Sequence, residues 1–293
     1  MDREPEPLVL GDLSRLRLAA RRAGVLLRRA ARLAAWTANP ADFPAPELGD
    51  PLAFPHLLYR RRWPIARASA DARLEQGKRI NLALAAPHVN GAVVAPDRPF
   101  SFWRAVPRPT PARGYRIGME LRGGCVVPTA GGGLCLLSNA LFAAAAELGW
   151  RILERHGHTM TVIDRDLDLD ATVLWPFVDL RFAPRSGRAR LEVRAGDGLL
   201  EIAVHGDRPA AQRTEIHRLP GAEHAEAGGV VRVSAVRRVV RDAASGALVE
   251  DSLIALDRKR VVSASRAARS CLTCDRHDCR ARPRGLRSPG TGA

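Results

Sequence analysis

Three consecutive glycines, Gly131-Gly132-Gly133, run straight into Leu134-Cys135 and then into a stretch where Leu134, Leu137, Leu141, Ala145 and Leu148 form one apolar stripe at helical spacing. Glycines turn tightly and tolerate close backbone contact, so this pattern demands a sharp loop that delivers a core helix over residues 134–148. Gly149 suits the left-handed position that closes such a helix. Cys135 falls in the first turn, off the stripe, where the positive end of the helix dipole favours a thiolate. Open N–H groups in the same turn suit an anion, which makes Gly131, Gly132 and Gly133 candidate ligand-binding residues. Ser138 and Asn139, three and four residues beyond the cysteine, share its face and join them.

Around this helix the pattern is mixed. Residues 13–36 read as an arginine-rich amphipathic helix capped by Asp12, and residues 37–63 as a proline-rich linker without regular structure. A second helix is expected over 68–86, stopped by Pro87. From Gly91 onward, short β-like runs dominate: 91–94, 115–121, 125–127, 151–155, 159–163, 171–182, 189–193, 199–204, 229–240 and 248–256. The architecture that fits is α+β, with early helices and a largely antiparallel sheet packed around the glycine-led helix. Residues 64–262 form its domain, and residues 263–293 a mobile basic tail with a cysteine cluster.

Net charge is +15, yet Lys78 and Lys259 are the only lysines among 46 basic residues. Arginine spread over ordinary solvated faces, with aromatics at 5% and not interleaved among the basic runs, argues against a nucleic-acid partner. The first residues are acidic and proline-broken, without the apolar core of a secretory signal, and the longest uncharged run is interrupted by Pro128 and the glycines. The expectation is a cytoplasmic protein without a transmembrane segment, able to touch an anionic membrane surface or a partner through residues 13–36. The pattern does not define an oligomeric state.

A cysteine nucleophile needs a base and a group that orients the base. His156 and His158 follow Cys135, then Asp170 and Asp179, in an order compatible with a thiol site. The same histidines, two apart on a strand, could instead join Cys135 around zinc, or simply be satisfied by hydrogen bonds in a strand pair. Serine-hydrolase, zincin, dinucleotide and P-loop signatures are missing from the sequence. In the tail, Cys271, Cys274 and Cys279 with His277 between the last two make a metal-ligand pattern for zinc or an iron–sulfur cluster, with a redox or idle thiol cluster as the competing reading.

Several blocks in order resemble the VanW family, over roughly residues 78–182. They are Arg79-Ile80-Asn81, Asn90-Gly91, Pro96-Asp97 with Phe100-Ser101-Phe102, Gly114-Tyr115, Gly131-Gly132-Gly133-Leu134-Cys135 with Ser138, Glu154-Arg155-His156-Gly157-His158-Thr159, and Asp170-Ala171-Thr172-Val173 with Asp179-Leu180 and Phe182. The resemblance implies an accessory role in glycopeptide resistance or in cell-envelope and peptidoglycan metabolism. Leu136 stands where the family usually carries glutamine, which removes a polar group that could have served an oxyanion.

Two kinds of function compete on these residues. In one, Cys135 is the nucleophile, His158 the base and Asp170 the orienting carboxylate of a thiol-dependent hydrolase or acyltransferase, with His156 at the ligand and a peptide-like or cell-wall-precursor amide as substrate. In the other, the glycine loop binds a ligand carboxylate without catalysis, as a binding or scaffold module, and Cys135 is packing. A metal-dependent regulatory protein built on the tail cysteines is a third reading.

Overall fold

A computed structural model of the chain describes residues 10–66, 71–122, 125–162, 169–226 and 229–262. The tail carrying Cys271, Cys274, His277 and Cys279 lies outside the described residues. Helix α1 (Leu10–Ala38) precedes strand β1 (His56–Pro64), and helix α2 (Ala72–Val89) leads to β2 (Val93–Val94), β3 (Phe100–Ser101) and the single-turn α3 (Phe102–Ala105). The hairpin β4 (Ile117–Arg122) and β5 (Cys125–Ala130) feeds helix α4 (Cys135–Glu147). Then come β6 (Arg151–Glu154), β7 (Met160–Val162), β8 (Arg181–Ala183), β9 (Ala189–Gly196), β10 (Leu199–Gly206), β11 (Gln212–Glu226), β12 (Gly229–Asp242) and β13 (Leu248–Val262).

The fold is α+β, but among the described residues the strands form four sheets instead of one. Their orders are β1-β10-β9-β2, β11-β12-β13-β7, β3-β8-β6 and β4-β5. Among the described residues all pairings are antiparallel except β13 with β7, where Arg260 to Val262 run parallel to Met160 to Val162. Helix α4 sits at the centre: Leu137, Ala140, Leu141, Phe142 and Ala145 are buried, and the helix packs on β10, β6 and β11. Its run of alanines lets those strands approach closely, while Phe142 and Phe182 supply bulk. Gly149, at φ +71°, closes the helix as the sequence pattern requires.

Several local expectations change. Residues 37–63 are not a structureless linker, because β1 pairs with β10 along His56 to Pro64 and Phe43 and Phe54 are buried. Its run Arg60-Arg61-Arg62 hid the strand, which tolerates charge because it lies at a sheet edge. Strand β11 also escapes the pattern: it is polar on both faces and contains Pro220-Gly221, accommodated by a register shift between Leu219 and Ala222. Pro87 does not end α2 but lies within its last turn, and Asn90 N–H closes on Ala86 O. Asp71 caps the start of that helix, accepting from Arg73 N and Leu74 N.

The strand expected over 171–182 shrinks to Arg181–Ala183 plus one bridge between Leu174 and Val178. Ser138, Asn139 and Arg155 side chains and the His156 carbonyl take backbone groups of residues 170–172 instead. The end of α1 docks on the domain. Trp36 is buried, Arg32 Nη2 lies 2.6 Å from Glu154 Oε2, and Arg29 stacks on Trp175 at 4.9 Å. Val25, Leu26 and Leu27 remain exposed further up the helix. Among the described residues no helix is long and apolar enough to cross a membrane.

Candidate functional site

The glycine loop is a packing device first. A Cβ on Gly132 would lie 2.4 Å from the carbonyl carbon of Gly118, and one on Gly133, at φ +99°, would meet the Lys78 side chain at 2.4 Å. The loop therefore lies directly on β4 and α2, an approach that only glycine permits. Asn81, fully buried on α2, holds this contact: its amide donates to Arg116 O and Gly132 O at 3.0 and 2.9 Å, and its Oδ1 accepts from Arg116 N at 2.8 Å. Most N–H groups of the loop and first turn are already taken, contrary to the expectation of an open anion cradle. Gly131 N donates to Arg116 O, Gly132 N to Thr129 O, Leu136 N to Gly133 O, and Leu137 N and Ser138 N to Leu134 O.

What the loop delivers is Cys135, as the first residue of α4, partly buried and not in a disulfide. Its Sγ lies 3.6 Å from Thr172 Oγ1 and 4.0 Å from Val173 O. The 170–173 segment is pinned against the helix by the two residues expected to bind ligand. Ser138 Oγ, fully buried, donates to Ala171 O at 2.6 Å, and Asn139 Oδ1 accepts from Ala171 N at 2.8 Å. From the other side, Thr172 N donates to His156 O at 2.8 Å and Arg155 Nε to Asp170 O at 2.5 Å. Ser138 and Asn139 thus spend these polar atoms on the backbone that carries Asp170.

His158 closes the arrangement. Its Nδ1 is 2.5 Å from Asp170 Oδ1, and its backbone N–H donates to Asp170 Oδ2 at 2.9 Å. With Nδ1 committed to the carboxylate, Nε2 is the nitrogen left for the thiol, and the two side chains lie close enough for each to shift the titration of the other. Burial pushes the Cys135 thiol up, but the His158 hydrogen bond and charge, with help from Thr172, bring it below its ordinary value. Burial likewise pushes His158 down, and the bonds to Asp170 and Cys135 outweigh it, raising the imidazole to about 10. Asp170, although fully buried, is held well below the usual carboxylate range by His158 and Lys259. The state these shifts favour is a thiolate facing an imidazolium that a carboxylate supports.

Asp170 also receives Lys259 from β13, with Nζ at 2.8 Å from Oδ2. Lys259 lies 3.4 Å from Asp257, and Asp257 accepts both ends of the Arg155 guanidinium at 2.5 Å. Lys259, Asp257, Arg155, Thr172 and Asn81 were not singled out in the sequence as site residues. The one usable signal was compositional, since both lysines of this arginine-rich chain, Lys78 and Lys259, prove to be buried.

Two candidates stand apart from the thiol. His156 is half exposed and pairs with Glu154 at 3.5 Å. Asp179 belongs to a separate buried network: it accepts from Ser101 Oγ at 2.5 Å and Trp103 N at 3.1 Å, and burial raises it to about 6. No group of three or more histidine, cysteine or acidic side chains suited to a metal occurs among the described residues. A cleft of about 630 Å3 opens between β6 and β13. Arg155 is part of its wall, but Cys135, His158 and Asp170 are not.

Comparison with known proteins converges on the same segment. A family model described as "VanW like protein" matches residues 77–204. The vancomycin B-type resistance protein VanW of Enterococcus faecalis is 32% identical over 116 residues, which cover 38% of this chain and 42% of that protein. The uncharacterized protein YoaR of Bacillus subtilis is 35% identical over 102 residues, 35% of this chain and 34% of the relative. The chain thus matches less than half the length of either relative. No solved structure matches it. The residues that match the VanW-like family model, 77–204, contain Cys135, His158 and Asp170 together.

Proposed function

We propose that this chain is a thiol-dependent acyltransferase or hydrolase acting on a peptide-like amide, with Cys135 as nucleophile, His158 as acid and base, and Asp170 as the group that orients the imidazole. The observation that carries this reading is the pair of hydrogen bonds between Asp170 and His158, which leaves Nε2 as the ring nitrogen for a thiol at a helix N-terminus. A buried cysteine kept only for packing has no need of an oriented, carboxylate-backed histidine.

The chemistry follows from the protonation states. The Cys135 thiolate attacks the amide carbon, forming a C–S bond, and the carbonyl electrons move onto oxygen. Collapse of that intermediate breaks the C–N bond, and the His158 imidazolium gives its proton to the leaving amine. The thioester left on Cys135 is then attacked by water or by an acceptor amine. His158 takes the proton of that attacker, and the thiolate is restored. Asp170 stays ionised throughout and stabilises the imidazolium. Backbone N–H groups at the start of α4, Cys135 N–H foremost, are the donors for the developing oxyanion, since Leu136 offers no side-chain donor.

A relative named for vancomycin resistance turns the choice of amide toward cell-wall precursors, and a role accessory to glycopeptide resistance or to the peptidoglycan of the envelope fits such a substrate. The test is intact-protein mass spectrometry after incubation with peptidoglycan stem peptides. The reading expects an acyl adduct on Cys135, or its turnover products, absent in Cys135→Ala. Products that persist in folded Cys135→Ala, or neither adduct nor product from any amide offered, would contradict it.

A further inference from the structure

The hydrogen bonds of Asp170 raise a question that the thiol, imidazole and carboxylate do not answer. A fully buried carboxylate needs its charge compensated, and a single imidazole that must exchange protons with Cys135 cannot compensate it at every stage. When His158 gives up its proton, Asp170 keeps a negative charge in an apolar setting. Lys259 Nζ, 2.8 Å from Oδ2, is the other basic group paired with it. It reaches Asp170 from β13, and its ammonium also lies 3.4 Å from Asp257, which the Arg155 guanidinium grips at both oxygens. Arg155 in turn donates through Nε to Asp170 O, so the same residue has its main chain fixed by Arg155 and its carboxylate by Lys259.

The composition points the same way. In a chain where arginine occupies nearly every basic position, Lys259 is one of two lysines kept, and it is 5% exposed. A compact ammonium fits between two carboxylates where a planar guanidinium demands more room. Lys259 and Asp257 also lie beyond residues 77–204, the segment matched by the family model.

We infer that Lys259 is a positioning residue for the Cys135–His158 pair: by holding Asp170 Oδ2 it keeps Oδ1 on His158 Nδ1, so that the sheet built from β11 to β13 completes a site whose reacting residues lie outside it. This rests on the proposed thiol function. Among the described residues, the charged and titratable groups facing Asp170 are His158 from the 155–158 segment, Lys259 from β13, and, one step removed, Asp257, Arg155 and Cys135.

The experiment is the pH dependence of iodoacetamide alkylation of Cys135, resolved by peptide mapping, in wild type, Lys259→Met and Lys259→Gln, with thermal unfolding followed on each. Gln keeps a hydrogen bond to Asp170 without the charge, and so protects the test if Met does not fold. Lost support for Asp170 raises the apparent thiol pKa by about one in a folded variant, which slows alkylation about tenfold at about pH 6. A lowered thiol pKa in wild type that is unchanged in folded Lys259→Gln overturns this inference and leaves the thiol site standing. An ordinary thiol pKa in wild type overturns the thiol site itself. Failure of both variants to fold assigns Lys259 to stability instead, and also overturns the inference.

Discussion

Asp170 holds His158 twice, accepting the backbone N–H on Oδ2 at 2.9 Å and meeting Nδ1 with Oδ1 at 2.5 Å. One buried carboxylate thereby fixes both where the imidazole sits and which of its nitrogens faces Cys135. The first bond anchors the main chain, so the ring cannot swing away without moving residue 158 itself. The second sets the tautomer, because a proton on Nδ1 is the one Asp170 can hold.

Asp170→Asn keeps the shape of the side chain and removes its charge. His158 then loses the partner that keeps it protonated, and Lys259 loses the carboxylate 2.8 Å from its ammonium. Alkylation of Cys135 at about pH 6 is expected to fall about tenfold or more, since the thiolate loses its imidazolium. A rate equal to wild type, with the fold intact by circular dichroism, would show that the thiol does not depend on this carboxylate.

The pH dependence of stability separates the two members of the pair. The folded pKa of His158 is raised, so its contribution is complete below the unfolded value near 6.5 and is lost as pH rises toward about 10. Cys135 is lowered, so its contribution is complete above the unfolded thiol value near 8.5 and is lost as pH falls toward the folded one. Between the folded thiol value and about pH 8.5 the two slopes oppose each other, and wild-type stability to urea is expected to be flat over that overlap. In Cys135→Ser only the histidine slope survives, and stability should fall from about pH 6.5 upward. Parallel curves for the two proteins would remove the ion pair.

Ser138 and Asn139 invite a reading as ligand groups, and the structure gives them to Ala171 instead. Ser138→Ala leaves a buried carbonyl without this donor, at about 1–3 kcal/mol. Asn139→Ala similarly strips the Ala171 N–H of its acceptor. Both are expected to lower the unfolding midpoint and raise the thiol pKa together, because residues 170–173 carry Asp170 and Thr172. A variant that loses only ligand affinity at unchanged stability would restore the binding role.

Asn81 locks the glycine loop through three hydrogen bonds to main-chain atoms of Arg116 and Gly132. Asn81→Ala should cost about 2–4 kcal/mol, as several buried groups lose partners at once. Gly132→Ala should cost about 1–3 kcal/mol or more, because its methyl group has only the Gly118 backbone to displace. Chemical denaturation of both variants checks the pair, and a Gly132→Ala protein as stable as wild type would mean the loop has room that the contact with β4 denies.

The sequence makes the short-range part of this site readable. A glycine run ending in Cys135 announces a helix start, and the spacing of His158 and Asp170 offers a base and a carboxylate. Two things were out of reach. One is the choice between neighbours: His156 and His158 look alike on a strand, and only the turn toward Glu154 removes the first. The other is everything that arrives across long stretches of chain. Lys259, Asp257 and Asn81 come from strands and helices whose pairing no local pattern specifies, and β1 and β11 were hidden because edge strands carry arginine, proline and glycine freely. Glycine itself reads ambiguously, since a loop that cradles an anion and a loop pressed against a neighbouring strand require the same residue.

The central claim is that Cys135 is a thiolate because His158 faces it. Its most direct test is the apparent pKa of iodoacetamide alkylation at Cys135, mapped by peptide so that the other four cysteines do not contribute, in wild type and in His158→Ala. The account predicts a wild-type value well below the free-thiol value of about 8.5, returning toward it when the imidazole is removed. A wild-type value at or above about 8.5, or one that His158→Ala leaves in place, would contradict it.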